Sequence, residues 1–285
     1  MTHSIQIKNT DALSLLDTFD NNTVDLILTD PPYIISKDSG MNKHYDQVKE
    51  NEEKGGGNMK SDTDWIEFKK NLKKPQDELD ADKGKGWSKE NYLQYGSILG
   101  KKYATQTYYG KWDEEFTLEQ LDNIVEQYYK KLRKGGTVII WFDFWKITPL
   151  CDILQKHKFK QLRIIEWVKT NPQPINSSVN YLSNAREIAI LAVKGGKPTF
   201  NSKYDKGIYE YPMAAGKYKV HPTQKNVNLF KELIKKHSNE NDIVVDTFLG
   251  GGTTALACLE SNRNFVGCEI DPLYFDKIKH YSNIH

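Results

Sequence analysis

Short apolar runs alternate along this chain with longer stretches whose apolar residues recur at helical spacing. Runs that read as strands lie near 4–8 (Ser4-Ile5-Gln6-Ile7-Lys8), 23–29, 137–142 (Thr137-Val138-Ile139-Ile140-Trp141-Phe142), 163–168, 187–193, 242–246 and 264–269. Helical patterns cover 11–18, 116–133, 146–157, 223–237, 253–261 and 273–282. Apolar strands separated by amphipathic helices predict an α/β chain with a mainly parallel sheet. Lys134-Gly135-Gly136 reads as the C-terminal stop of the 116–133 helix.

The stretch 36–110 breaks this rhythm. It is polar, nearly balanced in charge, and carries Gly55-Gly56-Gly57. Trp65 and Phe68 fit one face of a short helix, and Tyr92, Tyr95, Tyr103, Tyr108 and Tyr109 make it too aromatic for a plain linker. It is expected to be a long insertion, since loops of this length are functional or unstructured more often than merely connecting.

Composition narrows the class. The 285 residues suffice for a large α/β domain, and no apolar stretch has the length of a membrane span or the form of a secretion signal, so a soluble cytoplasmic protein is expected. Cys151, Cys258 and Cys268 are widely spaced and form no Cys-x-x-Cys, which argues against a disulfide framework or a zinc site. Cys258 and Cys268 read as small buried hydrophobes. Net charge is +2, but Lys156 to Lys236 holds 16 Lys+Arg against 5 Asp+Glu. Tyr181, Tyr204, Tyr209, Tyr211 and Tyr218 are interleaved with those bases, which suggests either a polyanion-binding face or a solvated lysine-rich surface.

Two motifs carry chemistry. The first is Asp30-Pro31-Pro32-Tyr33, directly after the apolar run Val24-Asp25-Leu26-Ile27-Leu28-Thr29. The prolines fix φ, remove N–H donors and stiffen the loop. An acid, carbonyls free to accept and an aromatic face together suit the capture of a planar amine. Alone, such a run is more often a turn at a strand end.

The second is Thr247-Phe248-Leu249-Gly250-Gly251-Gly252-Thr253-Thr254, between the strand Asp242-Ile243-Val244-Val245-Asp246 and the helical Ala255-Leu256-Ala257-Cys258-Leu259. Strand, glycine turn and helix form a nucleotide-binding layout. The next strand ends in Glu269, where an acid can hydrogen-bond a ribose diol. A phosphate-cradling loop is excluded because the turn lacks the lysine. A dinucleotide fingerprint is formally matched by Gly250-x-Gly252-x-x-Ala255. An S-adenosylmethionine turn fits better, because too little chain follows to complete a dinucleotide fold, and the upstream strand supplies the missing half of a permuted sheet.

With both motifs in view, the chain resembles the amino-methyltransferases that act on DNA bases, in the permuted (β) motif order. His221-Pro222-Thr223-Gln224-Lys225 resembles that family's remaining cofactor motif, and Asn171-Pro172 after Glu166-Trp167-Val168-Lys169 a feature near its base pocket. Gly251 stands where the family often has serine or another small residue.

The resemblance implies a Rossmann-like seven-stranded S-adenosylmethionine methyltransferase fold, circularly permuted, with the last strand antiparallel and a long insertion. The catalytic domain would be 1–35 with 111–285, its DNA-contacting segments about 171–220, and 36–110 would serve as lid or DNA-reading segment. Asp30 and the Pro31 carbonyl would accept the amine hydrogens of adenine, Pro32 would shape the loop, and Tyr33 would stack on the flipped base. Asp246, Phe248, Gly250, Gly252 and Thr253 would line the methionine side of the cofactor, and Glu269 its ribose. Asp11 and Ala12 would meet its adenine, though Asp11 equally fits a helix N-cap. His221, Thr223 and Lys225 would lie near its carboxylate, with a helix cap and a surface lysine as the plain alternatives for the last two. Asp271 reads as a helix cap.

Lys203, Lys206, Lys217 and Lys219 are candidate phosphate contacts, and Arg186, Asn176, Asn180 and Asn184 candidate base readers. The expected partners are double-stranded DNA, a cognate restriction endonuclease of a restriction–modification system, and a second copy in a homodimer. The expected product is S-adenosylhomocysteine, with no metal and no membrane. The competing readings are a cytosine amino-methyltransferase, an inactive DNA-binding regulator on the same scaffold, and a dinucleotide oxidoreductase.

Overall fold

The computed structural model describes residues 4–34, 60–71, 89–96, 116–172, 182–214 and 224–282. Its strands are β1 (Ile5–Asn9), β2 (Val24–Thr29), β3 (Leu132–Phe142), β4 (Lys160–Lys169), β5 (Arg186–Val193), β6 (Ile208–Tyr211), β7 (Ile243–Asp246) and β8 (Asn264–Glu269). They form one sheet in the order β1-β8-β7-β2-β3-β5-β4-β6. β5 is antiparallel to its neighbours β3 and β4, and the other pairings are parallel.

The seven expected strands are present, and β6 makes an eighth. No strand is expected between 193 and 242, because in Ile208-Tyr209-Glu210-Tyr211 only Tyr209 is buried and no apolar run forms. The strand exists because it adds to the free edge of β4, with Glu166 opposite Ile208 and Lys169 opposite Tyr211.

Alternation along the central strands sends successive side chains to opposite faces. Val24 and Ile27 of β2 and Val138, Ile140 and Phe142 of β3 join a core closed by α1 (Ala12–Leu16), α4 (Leu118–Lys131) and α5 (Ile147–Lys156). Leu26, Leu28, Ile139 and Trp141 face the other way, against α6 (Val227–His237) and α7 (Thr253–Leu259), with Ile278 from α8 (Pro272–Ser282). A sheet covered on both sides explains why β2 and β3 read as unbroken apolar runs. Trp141 stacks on Phe230 with centroids 6.0 Å apart and meets Trp167 edge-on at 6.4 Å. Cys258 and Cys268 are buried and Cys151 half-buried, all three free thiols.

Two boundaries differ from expectation. α4 ends at Lys131, and Lys134-Gly135-Gly136 lies inside β3 rather than stopping a helix. Gly135 has φ +77°, and a Cβ there would meet the Lys197 carbonyl oxygen at 2.3 Å, so the glycine serves a close backbone crossing. Helix α6 begins later than expected, with Asn226 as its N-cap, the Asn226 side chain accepting from the amides of Asn228 and Leu229.

The chain divides into two units, Met1–Ile34 with Tyr109–His285, and Ile35–Tyr108. Within the second, α2 (Asp62–Lys70) and α3 (Lys89–Tyr95) bring together Trp65, Phe68 and Tyr92, with ring centroids 4.5 to 5.6 Å apart. Ser61 and Asp64 form a reciprocal cap on α2, and Lys89 pairs with Asp62. Among the described residues no helix is long and apolar enough to cross a membrane.

Candidate active site

β2 and β7 are parallel neighbours, with Leu26 opposite Val244 and Ile27 opposite Val245. Their carboxyl ends therefore emerge at one edge of the sheet, where open α/β sheets place ligands. The Asp30 loop leaves β2 there, and the glycine turn leaves β7. A buried hydrogen bond fastens the two, with Thr29 Oγ1 donating to Asp246 Oδ1 at 2.7 Å. The glycine turn is also tied to the segment ahead of α6, where Thr253 Oγ1 donates to the Lys225 carbonyl at 3.4 Å.

Asp246 organises the turn from inside. It also accepts from Thr254 Oγ1 at 2.5 Å and from the Phe248 amide at 3.0 Å. Burial raises its pKa to about 6 against these hydrogen bonds. The resemblance sets this carboxylate at the methionine side of the cofactor; in the structure both of its oxygens accept from neighbouring protein donors. Gly250 and Gly252 have φ +54° and +80°. A Cβ on Gly252 would press on Ile278, whereas one on Gly250 would enter open space. Phe248 is partly buried and meets Phe116 edge-on at 5.5 Å.

Glu269 closes the far side of the turn. Its Oε2 accepts from the Gly250 amide at 2.7 Å and its Oε1 from the Asp271 amide at 2.9 Å. Asp271 in turn accepts from the Leu273 amide at 2.8 Å, the expected helix cap. Asp11 caps α1, accepting from the Ser14 amide at 2.9 Å and hydroxyl at 2.6 Å, and these bonds hold its pKa low. Ala12 is buried behind it. His221 and Thr223 lie outside the described residues.

Burial pushes the Glu269 carboxyl up to about 7 from its ordinary 4.5. Its stabilising contribution is therefore complete below pH 4.5 and lost as pH rises through about 7. Glu269→Gln removes this loss. The stability of the native protein should fall against that of the variant by up to about 3 kcal/mol between acid and mildly alkaline pH. Denaturant melts of both at each pH check this, and a gap independent of pH would refute it.

The other corner is built on charge. Lys225, only 4% exposed, lies just ahead of the Asn226 cap. Its Nζ stands 2.5 Å from Asp30 Oδ2, 3.3 Å from the Tyr33 hydroxyl and 3.0 Å from Glu187 Oε2. The ammonium also lies 5.3 Å from the Tyr33 ring centroid and 5.9 Å from that of Trp141. Glu187 Oε1 is 2.7 Å from Lys169 Nζ. Asp30 Oδ1 is enclosed and, among the described residues, has no hydrogen-bond partner. Pro31 and Pro32 are buried, and Tyr33 packs edge-on against Phe142 at 6.2 Å.

Burial raises the Asp30 pKa although Lys225 opposes it. It raises that of Tyr33 with the help of Asp30. Lys225 lies well above its ordinary range, because Asp30 and Glu187 outweigh the cost of burial. For Glu187, burial is likewise outweighed by Lys225 and Lys169, and its pKa is lowered. The resemblance places Lys225 near the carboxylate of the cofactor; in the structure its ammonium sits on Asp30. Lys169 belongs to the stretch expected near the base pocket, and Glu187 carries no motif of its own. The available signal was a charged residue at the mouth of each of two apolar strands.

The basic half is less uniform than its composition suggests. Tyr209 donates to Asp205 at 2.7 Å, Tyr211 donates to Glu232 at 2.6 Å, and Lys236 pairs with both acids, so these groups are engaged within the protein. Lys203, Lys206 and Asn184 are exposed. Arg186 is 71% exposed, with Glu166 3.3 Å away. Asn171 Oδ1 accepts from the Met213 amide at 2.7 Å. Lys217, Lys219, Asn176, Asn180, Tyr181 and Tyr218 lie outside the described residues. Among the described residues no group of three His, Cys, Asp or Glu could hold a metal ion.

The chain is 30% identical over 178 residues to the Type II methyltransferase M2.MboI of Moraxella bovis, covering 56% of this chain and 65% of that protein. It is 24% identical over 285 residues to the Type II methyltransferase M.HinfI of Haemophilus influenzae, covering 93% of this chain and again 65% of the relative. It thus spans just under two thirds of the length of these relatives. The crystal structure of the M1.HpyAVI–SAM complex matches with TM-score 0.61 and 25% identity, over 98% of each chain. The cytosine-N4-specific PvuII DNA methyltransferase shares the fold, with TM-score 0.63 at 15% identity over 98% of this chain and 87% of that one. A family model described as DNA methylase matches residues 24–280, nearly the whole sheet with both of its loops, and the chain belongs to that N6/N4 DNA methylase family.

Proposed function

We propose that this protein transfers the methyl group of S-adenosylmethionine to the exocyclic amino group of adenine in double-stranded DNA, as the modifying enzyme of a restriction–modification system. The observation that carries the reading is the enclosed Asp30 Oδ1, a carboxylate oxygen at the carboxyl end of β2 with no donor among the described residues. Buried acceptors are almost always satisfied, and an amine hydrogen is the donor this one lacks. Family membership and the two Type II relatives support DNA as substrate. The acid at the head of the motif supports adenine over cytosine.

The residues of the turn fit the cofactor named in the M1.HpyAVI complex. Gly250 leaves open space beside a left-handed backbone, so a ligand can approach the main chain. Glu269 keeps a second lone pair on each oxygen for a ribose diol. Gly252, Thr253 and Phe248 shape the wall, Asp246 holds the turn, and Asp11 and Ala12 lie at the neighbouring strand end. The bound cofactor supplies an already activated methyl group.

Asp30 Oδ1 and the Pro31 carbonyl accept the two amine hydrogens, which favours a pyramidal nitrogen with its lone pair directed outward. Tyr33 offers its face to the base, and Pro32 fixes the loop. No covalent enzyme adduct is needed: the amine nitrogen would take the methyl carbon as that carbon's bond to sulfur breaks and a thioether leaves, and the surplus amine proton would pass by way of Asp30 to solvent, so catalysis is positioning and electrostatics. The base must leave the duplex to reach this corner, at a cost of a few kcal/mol. Exposed Lys203 and Lys206 are suited to phosphate contacts.

The test is incubation of the protein with isotope-labelled S-adenosylmethionine and unmethylated genomic DNA, followed by mass spectrometry of the nucleosides. Labelled N6-methyl-2′-deoxyadenosine is expected. Label on cytosine would move the assignment to the other base of the family, and no label on DNA would overturn the reading.

A further inference from the structure

Four charged side chains from four elements meet at the Asp30 corner in alternating sign: Asp30 after β2, Lys225 before α6, Glu187 at the start of β5 and Lys169 at the end of β4. The sheet topology brings them together. β5 runs against β4, so its first residues lie at the edge where β4 ends. We propose that Lys225 is a positioning residue for methyl transfer: its ammonium takes up Oδ2 of Asp30 and the Tyr33 hydroxyl, leaving Oδ1 turned to the substrate amine, while Glu187 and Lys169 set how strongly that ammonium holds the carboxylate. This rests on the methyl-transfer reading above.

Three observations carry it. The contacts of Lys225 differ for the two oxygens of Asp30, with Oδ2 at 2.5 Å and Oδ1 left without a partner among the described residues. A single ammonium touches both the acid and the aromatic that define the amine pocket. Glu187 gives that ammonium a second counter-charge at 3.0 Å and is itself held by Lys169 at 2.7 Å. A lysine that merely balanced charge would need neither the Tyr33 contact nor the flanking pair. Among the described residues, the charged and titratable groups facing Asp30 are Lys225, Glu187 across the sheet edge, Tyr33 on its own loop and Asp246 on β7.

The two neighbours act on Asp30 in opposite senses, which makes the proposal testable by sign. Lys225 favours the carboxylate, so Lys225→Met should move the acid limb of the pH–rate profile to higher pH by about one unit or more. Glu187 disfavours it and draws on Lys225, so Glu187→Gln should move the same limb to lower pH. The single-turnover rate of Lys225→Met at neutral pH should fall about a hundredfold. Its affinity for S-adenosylmethionine should stay within about threefold, since the ammonium is not assigned to the cofactor. Lys225→Arg keeps the charge and should return the limb towards its original position.

The experiment is single-turnover methyl transfer to duplex DNA from about pH 5 to 9, with calorimetric cofactor binding and thermal melts for each variant. It is paired with carboxyl carbon NMR of Asp30 in the native protein, Lys225→Met and Glu187→Gln. Limbs and carboxyl titrations that move in opposite directions bear the proposal out. Movement in the same direction, no movement, or a large loss of cofactor affinity in Lys225→Met overturns it. The NMR titration does not depend on turnover. If the native protein transfers no methyl group, opposed carboxyl shifts would still establish the clamp on Asp30, and the methyl-transfer reading alone would fall.

Discussion

Asp30→Ala is expected to abolish methyl transfer while leaving the fold and the cofactor affinity in place. The exocyclic amine of adenine is a poor nucleophile because its lone pair is shared with the ring. Asp30 Oδ1 is the acceptor that would draw the nitrogen out of that conjugation. Removing one preorganised electrostatic partner from an enclosed site costs about a hundred- to a thousandfold, and here the same group would also orient the base, so a loss of at least about a thousandfold is expected. The fold should survive, because Lys225 keeps Glu187 at 3.0 Å as a counter-charge. Asp30→Asn keeps the shape and one acceptor but sets an amide against Lys225, and should sit nearer to alanine than to the native rate. Single-turnover rates with calorimetric S-adenosylmethionine binding check both variants. An Asp30→Ala protein retaining more than about a tenth of the native rate would remove Asp30 from the mechanism.

Much of this arrangement is legible in the chain, for reasons that also mark where legibility ends. β2 and β3 announce themselves because they are buried on both faces, and alternation does not break up their apolar runs. The two loops are legible because Asp30-Pro31-Pro32-Tyr33 and the Gly250–Gly252 turn each follow such a strand. β6 escaped because an edge strand of four residues with one buried side chain has almost no periodic signal. Gly135 is illegible from local pattern because a Lys-Gly-Gly run after an amphipathic helix has the form of a stop, whereas its cause is a crossing carbonyl from Lys197. The Asp30–Lys225–Glu187–Lys169 set is illegible for another reason. Its members are scattered over 195 positions of chain, and only the antiparallel insertion of β5 between β3 and β4 puts them at one edge. Local pattern finds the strand ends, but the contacts made there depend on strand order.

Asp246→Ala should do the widest damage, because this one carboxylate holds the turn to its own strand and to the Asp30 strand. The substitution leaves the Thr29 and Thr254 hydroxyls and the Phe248 amide without their acceptor in a buried setting. At about 1–3 kcal/mol for each polar group so stranded, a loss of about 3–5 kcal/mol is expected, part of it recovered by rotation of the two hydroxyls. The stability of a domain is of that same order, so the melting transition should drop steeply or vanish. Where folded protein remains, the glycine turn loses its ties at Phe248 and Thr254 on either side of it, and S-adenosylmethionine affinity should fall at least about a hundredfold. With Thr29 released, the amine corner is no longer registered against the turn, so the rate should fall even at saturating cofactor. Asp246→Asn separates these effects. It keeps one oxygen for Thr29 and removes a buried charge whose pKa stands at about 6. Above that pH it should therefore lose less stability than Asp246→Ala, while the Thr254 side of the turn still loosens. Melts and calorimetry on both variants at mildly alkaline pH decide the matter. Native stability and native cofactor affinity in Asp246→Ala would mean that the turn is held by its glycines and not by the acid beneath them.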